Sequence, residues 1–205
     1  MRIAFFGGTF DPVHRGHLGV ARAALEEFAL DRVLFAPVGR QPLKEKTAEA
    51  PFADRVAMVS LACSEVEPAG TMVLSEVDAP KPGGQPNYTV DTLAELHREH
   101  PEAELYAIAG ADSFLTVRSW REPNRLLELA RWIVVSRPGF DLGQLASLDL
   151  RPEQRARVHL LDSVHQDVSA SELRRRLRAG EACEDWLPER VLGYIRERGL
   201  YGSRV

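Results

Sequence analysis

The chain has 205 residues, 44% of them hydrophobic and 27% charged, which is the composition of an ordinary soluble globule long enough to bury a substantial core. A formal net charge of −4 provides no global basic field and argues against a general nucleic-acid binder. No apolar run approaches the ~20 residues of a membrane span. "MRIAFFGG" is too short for a signal peptide, so a cytoplasmic protein is expected. Cys63 and Cys183 lack CxxC spacing and read as free thiols in a reducing compartment.

In chain order, the first apolar run is "RIAFF" at residues 2–6, a strand. It enters "GGTFDPVHRGH", Gly7 to His17, and then a helix that His17 opens. There Leu18, Ala21, Leu25 and Phe28 lie three and four apart and form one apolar stripe. "RVLFAPV" at 32–38 is the second strand, and "FADRVAMVSLAC" is a helix starting after Pro51. "TMVLSEV" at 71–77 is the third strand, and "APKPGGQPN" at 79–87 is a surface loop. "TVDTLAELHREH" is a helix stopped by Pro101, followed by "ELYAIAG" at 104–110 and "RWIVVS" at 131–136 as strands. "RPGFDLGQLASLDLRPEQ", 137–154, reads as a second surface loop, and "RVHLLD" at 157–162 as the sixth strand. "DVSASELRRRLRAG" is a helix capped by Ser169 or Ser171, with Arg174 about one turn inside. A terminal helix in "LPERVLGYIRERGLY" packs Val191, Tyr194 and Ile195 onto the body.

Most of these strands are continuous apolar runs, as strands buried on both faces should be. The βαβα order predicts an α/β fold: a doubly wound, mostly parallel sheet with helices on both faces and right-handed crossovers. One domain over 1–205 is expected, with a small helical part at 169–205. Ligands of such sheets bind at the carboxyl ends of strands. That rule gathers Gly7–His17, Val38–Lys46, Gly110–Ser113, Ser136–Gly139 and Asp162–Ser171 on one rim.

Within "GGTFDPVHRGH", Gly7 and Gly8 allow close backbone approach, Thr9 donates a hydroxyl, and the helix start favours anions. A polyphosphate suits all of these together. A zinc pair needs a third ligand that no spacing supplies, and histidines that merely cap a turn are the plainer alternative. GxGxxG and GxxxxGK[ST] are both absent. Lys44 is a point charge suited to phosphate or to solvent. Thr89 begins a helix with Asp91 and Thr92 in its first turn, where free N–H groups can receive a carboxylate. Trp120 has a flat face for an aromatic ring, or it simply packs. Gly110 and Asp112 stand at a strand end, where Asp112 either faces a nucleotide or caps the next turn. Arg175, Arg176 and Arg178 read as a solvated basic face. His97 and His100 are solvated on a helix end, and His159 and His165 join no constellation.

"GGTFDPVHRGH" resembles the signature of the HxGH nucleotidyltransferase superfamily, here His14-Arg15-Gly16-His17. "FADRVAMV", "NYTVDTLAEL", "IAGADSF", Trp120, "SRPG", "VSASELR" and "LP..V..YI...GLY" resemble, in order, blocks of bacterial nicotinate-nucleotide adenylyltransferases. The resemblance implies a Rossmann-like nucleotidyltransferase fold. It also implies adenylyl transfer from ATP to nicotinate mononucleotide, with release of pyrophosphate. The ATP residues it implies are Gly7, Gly8, Thr9, Phe10, His14, Gly16, His17, Gly110, Asp112, Arg137, Val168, Ser169, Ser171 and Arg174. Those for the mononucleotide are Thr9, Lys44, Tyr88, Thr89, Asp112 and Trp120. His14, His17, Lys44 and Arg174 would serve the reaction, and Mg²⁺ would arrive with ATP. Leu43, Ala170 and Ser171 depart from a histidine, a serine and a threonine of the family pattern. Neither nucleic acid nor membrane is an expected partner, and a homodimer is left open. The rival readings are a sister enzyme using nicotinamide mononucleotide or phosphopantetheine, a nucleotide-binding regulator without catalysis, and a zinc hydrolase.

Overall fold

The computed structural model describes residues 1–42, 48–136, 142–146, 148–162 and 169–203. Strands β1 (Arg2–Gly8), β2 (Arg32–Pro37), β3 (Met72–Leu74), β4 (Glu104–Gly110), β5 (Arg131–Val135) and β6 (Val158–Leu161) form one sheet in the order β3-β2-β1-β4-β5-β6. Every pairing is parallel. The helices are α1 (Arg15–Glu27), α2 (Phe52–Ser64), α3 (Thr89–Glu99), α4 (Ala111–Phe114) and α5 (Pro123–Leu129), followed by α6 (Leu142–Ala146), α7 (Pro152–Arg155), α8 (Ala170–Arg178) and α9 (Glu189–Glu197).

Side-chain alternation along the central strands separates two cores. Ala4, Val33, Phe35 and Ile133 point to one face, where Ala21 and Ala24 of α1, Met58 and Val59 of α2, Leu173 of α8 and Val191 and Ile195 of α9 cover them. Ile3, Phe5, Leu34, Trp132 and Val134 point to the other, under Val90, Leu93 and Leu96 of α3, Phe114 of α4 and Leu126 and Leu127 of α5. Both residue parities are buried, which is why the sequence shows apolar runs instead of alternation. Removing a fully buried ring such as Trp132 would cost about 3–5 kcal/mol.

The chain order reverses between β1 and β4, neighbours whose following connections depart to opposite faces. Such a switch point opens a crevice at the carboxyl ends of the two strands. The expected sheet is therefore present, with three differences in detail. β3 covers only Met72–Leu74 of the predicted 71–77, because this edge strand pairs on one side alone. The helix after β1 starts at Arg15, with His14 as its N-cap and His17 as its third residue, so His17 does not open it. The predicted loop 137–154 contains α6 and α7, the latter started by Pro152, whose fixed φ suits a first helical position.

Candidate active site

β1 delivers Gly7 and Gly8 to the rim, opposite Ala36 and Pro37 of β2. A Cβ on Gly7 would meet the Phe5 ring at 2.5 Å, and one on Gly8 the Phe10 ring at 2.9 Å. Glycine is thus favoured here by the chain's own aromatic packing. Phe10 is buried with a left-handed φ of 49°, a conformation that costs energy in a non-glycine residue. Its ring lies edge-on to His17 at 5.0 Å.

The two histidines form one unit. Their rings stack at 3.7 Å, and the His14 backbone N–H donates to His17 Nδ1 at 3.2 Å. That bond requires a bare Nδ1, so the neutral His17 carries its proton on Nε2 and can donate there. Burial lowers the His14 pKa to about 4. Burial, then the neighbouring His14, holds His17 well below the usual imidazole value. Both are neutral donors at pH 7. His14 Nδ1 is buried and meets no hydrogen-bond partner among the described residues, a debt that a bound ligand atom would settle. Gly16 is buried at the second position of α1. The Arg15 amide already donates to the Trp186 carbonyl at 2.8 Å, so the helix start offers fewer free amides than its sequence suggests.

From the far end of the sheet, α8 brings Arg174 to the same turn. Ser169 is its cap, accepting from the Glu172 amide at 3.2 Å, whereas Ser171 accepts from Arg174 Nη2 at 3.4 Å. Arg174 donates through Nη1 to the Asp11 carbonyl, three residues before His14, and through Nε to Glu49, both at 2.7 Å. Arg178 is solvent-exposed, as expected, but also paired: its Nη2 contacts both oxygens of Glu49, at 3.0 and 2.8 Å. Arg175 and Arg176 are likewise paired, with Glu172 and Glu181. Hydrogen bonding from Arg175 outweighs partial desolvation and pulls the Glu172 pKa down to about 2.

Asp11, Arg55 and Tyr201 escape the sequence reading yet hold this turn. Buried Asp11 accepts from the amides of Glu49 and Ala50 at 2.7 and 3.0 Å and from the Tyr201 hydroxyl at 2.7 Å. Arg55 donates from Nη1 to the Thr9 carbonyl at 2.7 Å. The available signal was Arg55 standing in register with Met58, Val59 and Ala62 on the buried face of α2.

Of the expected acceptor residues, Tyr88, Thr89 and Trp120 lie on the opposite face of the sheet, whereas Thr9 stands at the turn after β1. Tyr88 caps α3, Thr89 is its first residue, and Tyr88 and Trp120 pack on one core cluster. Trp120 stands edge-on to Trp132 at 5.9 Å and donates its indole N–H to Thr116 Oγ1 at 3.0 Å. Arg121, unremarked in the sequence, lies over the Tyr88 ring at 4.6 Å and 3.7 Å from Asp91. Gly110 ends β4, and Asp112 is exposed in the first turn of α4. Lys44, Arg137, Val168 and His165 lie outside the described residues. His159 is partly buried beside Phe28. Among the described residues, no group of three His, Cys, Asp or Glu side chains is placed to hold a metal ion. A cleft of about 810 Å³ lined by Arg118, Asn124, Glu128, Asp149 and Arg151 contains none of the expected site residues.

The cytidylyltransferase-like family model matches residues 5–176. A protein of Gloeobacter violaceus named "Probable nicotinate-nucleotide adenylyltransferase" is 41% identical over 98% of this chain and 96% of its own. One of Thermus thermophilus with the same name is 42% identical over 98% of this chain and all of its own. The chain belongs to the nicotinate-nucleotide adenylyltransferase family. Among solved structures, the Plasmodium falciparum nicotinic acid mononucleotide adenylyltransferase complexed with NaAD superposes with a TM-score of 0.73. The superposition covers 99% of this chain and 98% of that one, at 18% identity, and so reports the shared fold. No helix among the described residues is long and apolar enough to cross a membrane. Within this adenylyltransferase-family chain, the histidine motif occupies the carboxyl end of the central strand, at the switch point of the sheet.

Proposed function

We propose that the chain transfers the adenylyl group of ATP to nicotinate mononucleotide, giving nicotinate adenine dinucleotide and pyrophosphate. The observation that carries this reading is the pair of stacked, neutral imidazoles where β1 meets α1, one with an unsatisfied buried nitrogen, beside an arginine delivered by α8. The names of the full-length relatives support it.

The acceptor is a phosphate monoester with a second pKa near 6 and is already an anion at pH 7, so it needs no general base. The barrier lies in bringing two polyanions together and stabilising charge around the α-phosphorus. Positioning and fixed donors serve that need. His17 Nε2–H donates to the α-phosphoryl oxygens and His14 to the phosphate chain. Arg174, and Lys44 beyond the described residues, hold the departing pyrophosphate or the acceptor phosphate. Gly7, Gly8 and Thr9 admit the nucleotide, and Gly110 and Asp112 border it. Tyr88, Thr89 and Trp120 receive the pyridine ring and its carboxylate. Mg²⁺ would accompany ATP and supply positive charge to the phosphates, with the protein contributing His14, His17 and Arg174 around them and, among the described residues, no cluster of its own carboxylates. Two unpaired, buried thiols, Cys63 and Cys183, support a cytoplasmic setting.

The test is pyrophosphate release from ATP with nicotinate mononucleotide, nicotinamide mononucleotide and phosphopantetheine supplied in turn. Release with the first and formation of the acid dinucleotide are expected. Release only with another acceptor, or none with any, would overturn the proposal.

A further inference from the structure

Glu49 is an anion held between two arginines of α8. Its carboxylate takes Arg174 Nε at 2.7 Å and Arg178 Nη2 at 3.0 and 2.8 Å. Each arginine has a second tie that does not involve Glu49. Arg174 Nη1 donates to the Asp11 carbonyl at 2.7 Å, and Arg178 Nη1 donates to the Arg174 carbonyl at 3.2 Å. The Glu49 main chain is anchored separately, its amide on Asp11 Oδ2. The guanidinium groups and the backbone would therefore keep their places if the carboxylate swung away.

We infer that Arg174 and Arg178 form a two-arginine phosphate subsite in which Glu49 is a built-in substitute, displaced when the phosphates of the nucleotide or of pyrophosphate enter. The inference rests on the adenylyl-transfer reading above and adds Arg178 and Glu49 to it. Three observations support the exchange. Arg174 Nη1 also lies 3.9 Å from the buried Asp11 carboxylate, whose field Arg55 shares, so three guanidinium charges face the two carboxylates of Glu49 and Asp11 and leave one positive charge in excess, which a phosphate with two or more charges matches better than Glu49 does. The Glu49 side chain is 43% exposed, and an exposed ion pair is cheap to break. Arg174 also touches the Asp11 carbonyl, on the turn that carries His14, so an anion seated here continues the line from the imidazoles. Desolvation raises the Glu49 pKa, but hydrogen bonds and charge from both arginines outweigh it, so the group stays ionised and competes at neutral pH.

The test uses the full chain and inorganic pyrophosphate as probe, titrated calorimetrically with Mg²⁺ present and no acceptor, for wild type, Glu49→Gln, Arg178→Gln and the double variant. Glu49→Gln should bind pyrophosphate about 3–10-fold tighter and lower the KM for ATP similarly. Arg178→Gln should weaken binding, and the double variant should lose the gain of Glu49→Gln. Thermal melts check that each variant is folded, and Glu49→Ala replaces Glu49→Gln if that one is not. Equal or weaker pyrophosphate binding by the folded Glu49 variant overturns the substitute role, and unchanged binding by Arg178→Gln overturns the second-arginine assignment. The function itself is read separately, from wild-type turnover. An active wild type with an indifferent Glu49→Gln refutes only this inference, and an inactive wild type refutes the adenylyl-transfer reading while the titration still reports on the subsite.

Discussion

Tyr201 donates its phenolic proton to Oδ1 of Asp11 at 2.7 Å across 190 residues of sequence. Burial, then the hydrogen bond to Asp11, pushes the phenol's pKa far up, so it remains a donor at every ordinary pH. The bond ties the segment after α9 to the turn that presents His14. Tyr201→Phe keeps the ring and removes the hydroxyl, leaving a buried carboxylate one partner short. A loss of about 1.5–3 kcal/mol is expected, a fall in Tm of roughly 3–12 °C. Circular-dichroism melts check this, and an unchanged midpoint would show that the bond contributes nothing.

His17 serves in two ways that one substitution can separate. Its Nδ1 accepts the His14 amide while its ring packs on Phe10, so alanine would damage the fold as well as the chemistry. Asparagine places Oδ1 where Nδ1 stood and has nothing at the Nε2 position. His17→Asn keeps the acceptor but loses the ring contacts with Phe10 and Phe6, so it should melt below the wild type but above His17→Ala, and lose about 10²–10³-fold in kcat. Turnover close to wild type in this variant would remove His17 from the reaction.

The sheet was legible in the sequence because buried parallel strands are short apolar runs, and the candidate site turn because glycines and histidines crowd into one strand-to-helix connection. Ser169 and Arg174 were legible from their spacing at a helix start. Asp11, Glu49 and Tyr201 were not. Each matters through a partner more than thirty residues away, and no local period encodes such a pairing. The loop composition of 137–154 likewise concealed α6 and α7, although Pro152 was a readable helix start. Arg178 is exposed on the charged face of α8, as read, but its pairing with Glu49 was not legible, because periodicity is blind to an acid arriving from the residues before α2.

Acid should weaken the fold through His14. Its pKa is about 4 in the folded chain against 6.5 for the ordinary imidazole. Between those values the unfolded chain binds more protons, so stability is complete above pH 6.5 and falls as pH drops toward 4. The loss approaches about 1.4 kcal/mol per pH unit within the window, about 3 kcal/mol in all. Urea unfolding from pH 7.5 to 4.5 should show at least this slope, because His17 is held low as well, and His14→Asn should remove the His14 share of it. Parallel slopes for the two proteins would refute the assignment.

Trp120 has one edge against Trp132 and its N–H on Thr116, which fixes the indole from two sides and leaves the ring partly exposed near Tyr88. Under the proposed function, a ring so held would be a preformed stacking surface, its side-chain entropy lost before the acceptor arrives. Trp120→Ala should raise the KM for nicotinate mononucleotide by about 10-fold or more, a stacking contribution of ~1.5 kcal/mol. The KM for ATP should be kept, because the imidazoles and Arg174 lie on another part of the rim. Trp120→Phe retains a smaller ring and should fall between the two. Steady-state kinetics with each substrate varied in turn decides the matter: an equal rise in both KM values would make Trp120 a packing residue, and no rise in either would remove it from the acceptor pocket.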